Sequence, residues 1–206
     1  MRVELCGDAT GPTAATGFGG TVDLDLHLAR RGTTPEWFDD LDCDYSTCKA
    51  NRYSRLDWGY ADTSLSKCTG PGARGDAADS CPNPRLDIDN ISDSDECVPE
   101  NVNLDNPNDG DQFRVMVHHY TSTTRTAHPL VNVYCGGELR ATYGSAPDLV
   151  DGFDEGGSRN GGDMWRVADI VTHVDGSGAT DCTLTPLSPP GSTTGGHWVT
   201  TDDSSF

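Results

Sequence analysis

Three features of the sequence predict an all-β fold, a disulfide-stapled, jelly-roll-like β-sandwich with long irregular loops. First, the acidic residues are mostly Asp, with only six Glu among 33 acids and only two Lys, whereas solvated helices usually carry Glu and Lys. Second, several short segments alternate apolar and polar side chains, which is the period of a half-buried strand, and turn-forming residues separate them. Third, eight cysteines at irregular spacings favour a fold tied by disulfides in an oxidising compartment.

The predicted strands, in chain order, are residues 1–6, 21–28, 85–90, 112–120, 129–135, 138–143 and 164–174. In the clearest of them, "QFRVMVHHY", Phe113, Val115, Val117 and His119 share one face. The dipeptide Gly136-Gly137 predicts a hairpin turn between two of the strands. The segment "MWRVADIVTHV" fits a strand, with a short helix as the alternative.

The chain is expected to form one domain over residues 1–185, followed by a Pro-, Gly-, Ser- and Thr-rich tail at 186–206. Residues 39–84 carry four cysteines and many turn formers, which predicts a disulfide-pinned loop excursion. Cys43–Cys48 and Cys68–Cys81 are the plausible local pairs. A tail of this composition frays unless something holds it, and Trp198 is its expected anchor.

The formal net charge of −19 makes nucleic acid and an anionic membrane unfavourable partners. No apolar run approaches the ~20 residues of a membrane-spanning helix, so membrane insertion is not expected. The start, "MRVELCGDATG", lacks the apolar stretch of a secretory signal, so an exported form is expected to have lost its signal already. The charge suits cations, basic partners or life in high salt.

The acidic residues form a pattern that favours a calcium site. Asp23 and Asp25 alternate with apolar residues, so their carboxylates share one strand face about 7 Å apart. The segment "RLDIDN" repeats this spacing, and "PEN" adds a carboxylate and an amide. Calcium takes roughly six to eight oxygen ligands, and a cation converts carboxylate repulsion into coordination. The predicted ligands are Asp23, Asp25, Asp57, Asp87, Asp89, Glu100 and Asn101.

This site would be a discontinuous one, because "DIDNISDSDECVPE" lacks the acid at the fifth position, the glycine at the sixth and the glutamate at the twelfth of an EF-hand loop. The alternative is that the two D-x-D pairs are ordinary outward-facing strand residues, although Asp is depleted in strands.

The histidines are a weaker signal. His118 and His119, with His128, suggest a transition metal, but adjacent strand residues point to opposite faces and cannot share one ion without a bulge. His119 is expected to be a core histidine. His27 lies on the acidic face of its strand, and no coordination is assigned to it.

Catalytic motifs are absent from the sequence, which has no G-x-S-x-G, no H-E-x-x-H and no P-loop. An Asp pair suited to glycoside hydrolysis is not distinguishable from calcium ligands here. Aromatic residues in the irregular region are candidates for stacking on sugars, with a small core under the excursion as the alternative use of the two tryptophans. These aromatics are Trp37, Tyr45, Tyr53, Trp58 and Tyr60.

The segments "VDLDLHL", "EWFDDLDCDY", "RLDIDN", "PENVNLDNPNDGDQFRVMVHHY" and "VNVYCGG" stand in an order that resembles a family of secreted bacterial β-sandwich modules. The resemblance covers residues 21–172, and "MWRVADI" looks like the closing segment. The family is largely without assigned function and is similar to calcium-binding jelly-roll modules. The resemblance implies a compact sandwich without catalytic activity, and "SDSDECVPEN" departs from the family's usual "DGxGPEN".

Asp23, Asp25, Asp87, Asp89, Glu100 and Asn101 occupy the motif positions of that family. Together, the residues and the resemblance predict a non-enzymatic, extracellular, calcium-binding structural or adhesion module, secreted or at the cell surface. A subunit of a polymeric surface assembly or filament, joined as a homo-oligomer through the tail, is the more specific form of this hypothesis. The alternative is a carbohydrate-binding module of a secreted protein, with a glycan as its partner.

Overall fold

The computed structural model describes residues 1–7, 23–32, 37–48, 56–61, 83–87, 99–120, 126–157, 161–204 and 206. Over these residues the chain is all-β. The strands are β1 Arg2–Gly7, β2 Leu24–Arg30, β3 Asp42–Cys43, β4 Arg85–Leu86, β5 Glu100–Asn103, β6 Gln112–His119, β7 Pro129–Cys135, β8 Glu138–Tyr143, β9 Met164–Val174, β10 Thr180–Pro186 and β11 Trp198–Thr200. A search of the same residues finds no helix that could span a bilayer.

The strands form two antiparallel sheets, so the predicted β-sandwich is confirmed. The first sheet has the strand order β4-β5-β1-β7-β8, and the second has the order β10-β9-β6-β2-β3. β11 and β10 pair with the same edge of β9. β11 pairs with its first residues, and β10 pairs with the rest of the strand. The predicted hairpin is also confirmed, because β7 and β8 meet at Gly136 and Gly137, which both have positive φ as a primed turn requires.

Alternation along the strands builds the core between the sheets. In β2, Leu24, Leu26 and Leu28 face the first sheet and are buried in one continuous cluster. From β6, Phe113, Val115 and Val117 join the same cluster, as their spacing predicts. Each fully buried aliphatic side chain of this kind stabilises the fold by about 1.5–3 kcal/mol. The other face of β2 is therefore turned away from the first sheet.

Disulfides connect separate parts of the sandwich. Cys43–Cys48 closes a short loop after β3, which confirms the predicted local pair. Cys135–Cys182 joins the end of β7 to β10 and so links the two sheets. Cys6 is also disulfide-bonded, and none of the described cysteines is free. The predicted pair Cys68–Cys81 lies outside the described residues.

A second layer covers the outer face of the second sheet. Residues 37–48, which we call the covering segment, place Trp37 and Phe38 over Met116 and Met164 in a separate buried cluster, with Phe206 packed against it. The segment predicted as a tail also contributes, because its residues 198–200 form β11 on β9. Consequently the acidic face of β2, which alternation alone would turn to solvent, is enclosed.

Candidate metal centre

Three potential metal ligands meet on the enclosed face of the second sheet. Asp25 and His27 are two positions apart on β2, and His118 is the direct cross-strand partner of Asp25 on β6. Each offers one ligand atom, and these three atoms lie within 4.8 Å of one another. Asp25 is 2 % exposed, and His27 and His118 are fully buried. We call Asp25, His27 and His118 the cation cluster.

The ring of His27 is oriented by a carboxylate from β3. Its Nδ1 donates to Oδ2 of Asp42 over 2.7 Å, and the backbone N–H of Phe38 donates to the same oxygen at 2.7 Å. Asp42 is placed there because it pairs with Ala29, two residues after His27. With Nδ1 donating, Nε2 carries the lone pair of the neutral ring. This buried Nε2 has no hydrogen-bond partner within the described part of the chain.

The ring of His118 is oriented by a backbone carbonyl. Its Nε2 donates to the carbonyl oxygen of Gly161 over 2.8 Å, so in the neutral ring Nδ1 carries the lone pair. That Nδ1 is buried 3.8 Å from Oδ2 of Asp25, which is too long for a hydrogen bond. Two ligands about 2.0–2.1 Å from a tetrahedral ion lie roughly 3.3 Å apart, so the spacing approaches that of two ligands on one metal.

Glycines bring the Gly161 carbonyl to this position. The backbone N–H of Gly157 donates to the carbonyl of His119 at 3.0 Å and holds the loop against β6. A Cβ on Gly157 would lie 2.5 Å from the carbonyl carbon of Gly161, and one on Gly162 would lie 2.6 Å from the oxygen of His119. Gly162 also has φ +86, a conformation that L side chains rarely adopt. The approach of this loop to the sheet therefore requires glycine.

A third carboxylate borders the cluster. Oδ1 of Asp44 accepts hydrogen bonds from the backbone N–H groups of Ser46 at 2.7 Å and Thr47 at 2.8 Å, which fixes the turn after β3. Oδ2 of Asp44 lies 4.0 Å from Nδ1 of His27 and is buried. His27, Asp42 and Asp44 thus form a second group of three side chains within ligand distance of one another.

Burial and charge oppose each other in this region. Burial disfavours the charged ring of His27, but the charge and the hydrogen bond of Asp42, helped by Asp44 and Asp25, raise its pKa overall. Burial likewise raises the pKa of Asp42, although His27 acts in the opposite direction. Arg166 is a fully buried base that interacts electrostatically with Asp42, and burial lowers its pKa to about 10. Its Cζ lies 5.2 Å over the Trp37 ring.

The residues predicted as calcium ligands are placed differently from one another. Asp25 lies in the cation cluster. Asp23 is buried just before β2, and its carbonyl accepts from the N–H of Tyr120. Oε2 of Glu100 accepts from the N–H of Leu26 at 2.8 Å, so this carboxylate reaches across from the first sheet to β2.

Three further predicted ligands make hydrogen bonds outside the cation cluster. Oδ1 of Asn101 accepts from the guanidinium of Arg2, Oδ1 of Asp57 accepts from the N–H of Gly59, and Oδ2 of Asp87 accepts from Nδ2 of Asn103. Asp89 lies outside the described residues. Among the residues that the structure describes, both groups of three ligands contain His27, and Asp25 is their one member from the predicted set. Calcium binding by the full set stays a prediction.

The two histidines of the cluster were missed by reasoning from the sequence. In the sequence His118 stands beside His119, whereas its partner in the cluster, Asp25, lies across the sheet on β2. His118 could be identified as a ligand only from the pairing of "DLH" on β2 with "HH" on β6. That pairing requires the register between the two strands. His119 itself is buried against Phe153, with ring centroids 5.6 Å apart, as expected for a core histidine. Burial lowers the pKa of His119 and favours its neutral form.

No protein-family model matches the chain, and no curated protein matches it. Among solved structures, the chain is similar to a crystal structure described as the unknown function protein SAV2460. The two are 15% identical, the match covers 90% of this chain and 89% of that chain, and the TM-score is 0.43. Such a distant likeness carries no argument about function.

Proposed function

We propose that the protein is a non-enzymatic extracellular module with a structural or adhesive role, and that a divalent cation bound by the cation cluster stabilises its fold. One observation carries the proposal. Asp25, His27 and His118 come from two paired strands, are buried together, and bring their ligand atoms within 4.8 Å of one another. A histidine ligand whose second nitrogen is held by a carboxylate or a carbonyl is a common arrangement in metal sites.

Burial of the cluster supports a structural role over a catalytic one. A catalytic metal keeps an open position that substrate can reach. Here Phe38 packs against both rings, with centroids 4.8 Å from His27 and 5.5 Å from His118. An ion beneath this cover would connect β2 with β6, and substrate would have to displace the cover to reach it.

An extracellular location is supported by the disulfides and the charge. Cys43–Cys48 and Cys135–Cys182 are bonds that persist in oxidising compartments. A net charge of −19 favours cations over anionic surfaces. Calcium is the ion that the acidic motifs and the family resemblance imply, and it belongs to this proposal as the first ion to be tested.

The test is a thermal melt of the chelator-treated protein with and without millimolar calcium or zinc. We expect a higher melting temperature with at least one of them, because a ligand that binds only the native state at a thousand times its Kd adds about 4 kcal/mol. The control is Asp151→Asn, which alters an exposed acid outside every proposed ligand set and should keep the response. If no divalent cation changes the melting temperature, the proposal fails.

The carbohydrate-binding alternative receives less support. Trp37 and Tyr60 are buried, and Trp58 stacks on Phe113 with ring centroids 5.6 Å apart. Tyr45 packs against Tyr120 at 5.3 Å. Tyr53 lies outside the described residues. These contacts favour the small-core use of the tryptophans, and a glycan array tests the alternative directly.

Assembly into a homo-oligomer or filament through the C-terminal segment stays a prediction. Within one chain, β11 pairs with β9, and the guanidinium of Arg114 lies 6.0 Å from the centroid of the Trp198 ring. A neighbouring copy would have to replace these contacts with equivalent ones. Light scattering of the purified protein separates a monomer from an assembly.

A further inference from the structure

We propose that the cation cluster is built for a divalent transition metal of the zinc class, bound by Nε2 of His27, Nδ1 of His118 and the carboxylate of Asp25. This inference rests on the proposed function, which requires a divalent cation at the cluster, and it names the ion. It differs from the calcium prediction in both the ion and two of the three ligands.

The donor atoms favour a transition metal over calcium. Calcium is bound by roughly six to eight oxygens, whereas neutral imidazole suits zinc, copper, iron and nickel. Two of the three side chains in the cluster offer nitrogen. Zinc is commonly held by four ligands, so a site with three protein ligands takes one further ligand. Phe38 packs against both histidine rings and covers the site, so that position is not open to substrate as it would be in a catalytic site.

The hydrogen bonds of both rings leave a lone pair available to a metal. Asp42 holds Nδ1 of His27 at 2.7 Å, and Gly161 holds Nε2 of His118 at 2.8 Å. The other nitrogen of each ring is buried without a hydrogen-bond partner among the residues that the structure describes. A buried polar atom left in this state costs free energy unless a ligand satisfies it. One explanation accounts for both nitrogens, namely an ion bound between the rings.

The charges around the cluster favour a dication. Asp25, Asp42 and Asp44 are buried carboxylates, and Arg166 is the buried base that interacts electrostatically with Asp42. Three buried carboxylates so close together repel one another, and buried charge is strongly unfavourable. A dication at the cluster would reduce this repulsion.

Each neighbouring group then has a defined role. Asp25, His27 and His118 bind the ion, while Asp42 and the Gly161 carbonyl are positioning groups that fix which nitrogen of each ring is free. Loss of such a positioning partner commonly weakens metal affinity by about 10- to 100-fold.

Calorimetric titration of the chelator-treated 206-residue chain with zinc chloride and, separately, calcium chloride tests this inference. We expect one zinc per chain, with His27→Gln and His118→Gln each weakening the affinity at least 100-fold. Asp42→Asn should weaken it about 10- to 100-fold. The matched control is His173→Gln, which removes an exposed histidine outside the cluster and should leave the zinc affinity unchanged.

X-ray absorption spectroscopy at the zinc edge of the wild-type complex also tests the inference, and it does so even if a variant does not fold. Histidine scattering with Zn–N distances of about 2.0–2.1 Å is expected. An oxygen-only spectrum, or unchanged zinc affinity in a folded His118→Gln, would overturn the inference. If calcium raises the melting temperature and zinc does not, the zinc inference fails while the proposed function stands. If neither ion does so, both fail.

Discussion

The ring of Phe206 packs against the ring of Trp37, with their centroids 4.9 Å apart and their planes 36° apart. This contact joins the C-terminal segment to the covering segment over the outer face of the second sheet. The guanidinium of Arg114 lies 4.9 Å from the centroid of the Phe206 ring and adds a cation–π contact from the sheet below. Two segments far apart in the sequence therefore hold each other in place above the cation cluster.

Replacing Phe206 with Ala should lower the free energy of unfolding by about 1–2 kcal/mol. The aromatic pair contributes about 0.5–1.5 kcal/mol beyond the apolar area that it buries. Urea denaturation followed by tryptophan fluorescence measures the change. The control is Leu139→Ala on β8, where a side chain that is 53% exposed should matter little. Equal stabilities for the two variants would show that the contact does not hold the cover.

Replacing Arg166 with Met should destabilise the protein by about 3–5 kcal/mol, because it leaves buried acids uncompensated. The guanidinium also donates to the carbonyl of Asp202 at 2.7 Å, so the change loosens the C-terminal segment as well. Guanidinium denaturation at neutral pH provides the measurement.

Arg140→Met is the matched control, because Arg140 pairs with the exposed acids Glu138 and Asp181 at the surface. Surface pairs of this kind contribute about 0–1 kcal/mol. A cost for Arg166→Met as small as that of the control would contradict the role assigned to Arg166.

The two described disulfides should differ in their contribution to stability. Cys135–Cys182 spans 47 positions and Cys43–Cys48 spans 5. The loop-closure relation gives about 4 kcal/mol for the first bond and about 2 kcal/mol for the second. The variants to compare are the two double replacements by Ala, each assayed by chemical denaturation. If removal of Cys43–Cys48 costs more stability than removal of Cys135–Cys182, the link between the sheets is not the stronger of these two constraints.

Stability at alkaline pH should depend on Tyr60. Burial, and then the hydrogen bond to Asp111 at 2.7 Å, raise the pKa of its phenol above the ordinary value. The pKa of Tyr60 is higher in the folded state than in the unfolded state. The stability that its neutral phenol contributes is therefore complete below pH ~10, where the phenol is neutral in both states. This stability is lost as the pH rises from ~10 through the pKa of the folded state.

Tyr60→Phe should therefore lose less stability than the wild type above pH ~10. At neutral pH the variant should be about 0.5–1.5 kcal/mol less stable, since it lacks the hydrogen bond. Urea midpoints across the pH range give both quantities, and the other tyrosines are common to both proteins. Parallel pH profiles would show that Tyr60 ionises equally readily in the folded and unfolded states.

The strands that could be predicted are those with one apolar face. β2, β6 and β9 follow this pattern, and their side chains alternate between the core and the outer face. β10, with the sequence "TDCTLTP", has no fully buried residue, and only Cys182 and Leu184 form its apolar side, which is too short a pattern to predict a strand. β5 and β11 are four and three residues long, too short for a periodic signal.

The cation cluster could be predicted only in part from the sequence. Asp25, together with Asp23 just before β2, could be found because D-L-D-L-H alternates apolar and polar side chains. The pairing of Asp25 with His118 depends on the register between β2 and β6, which tertiary packing sets. The folding of the covering segment over this face could not be foreseen either, because Trp37 and Phe38 lie outside any periodic segment.

The glycines at 157 and 162 place constraints on any other chain that would build the same centre. The tautomer of His118 is set by a backbone oxygen, so a side-chain change at position 161 leaves that acceptor in place as long as the loop keeps its path. That path admits no Cβ at positions 157 and 162. A signature for the proposed centre therefore combines D-x-H on one strand and a histidine on its neighbour with two glycines that donate no ligand atom.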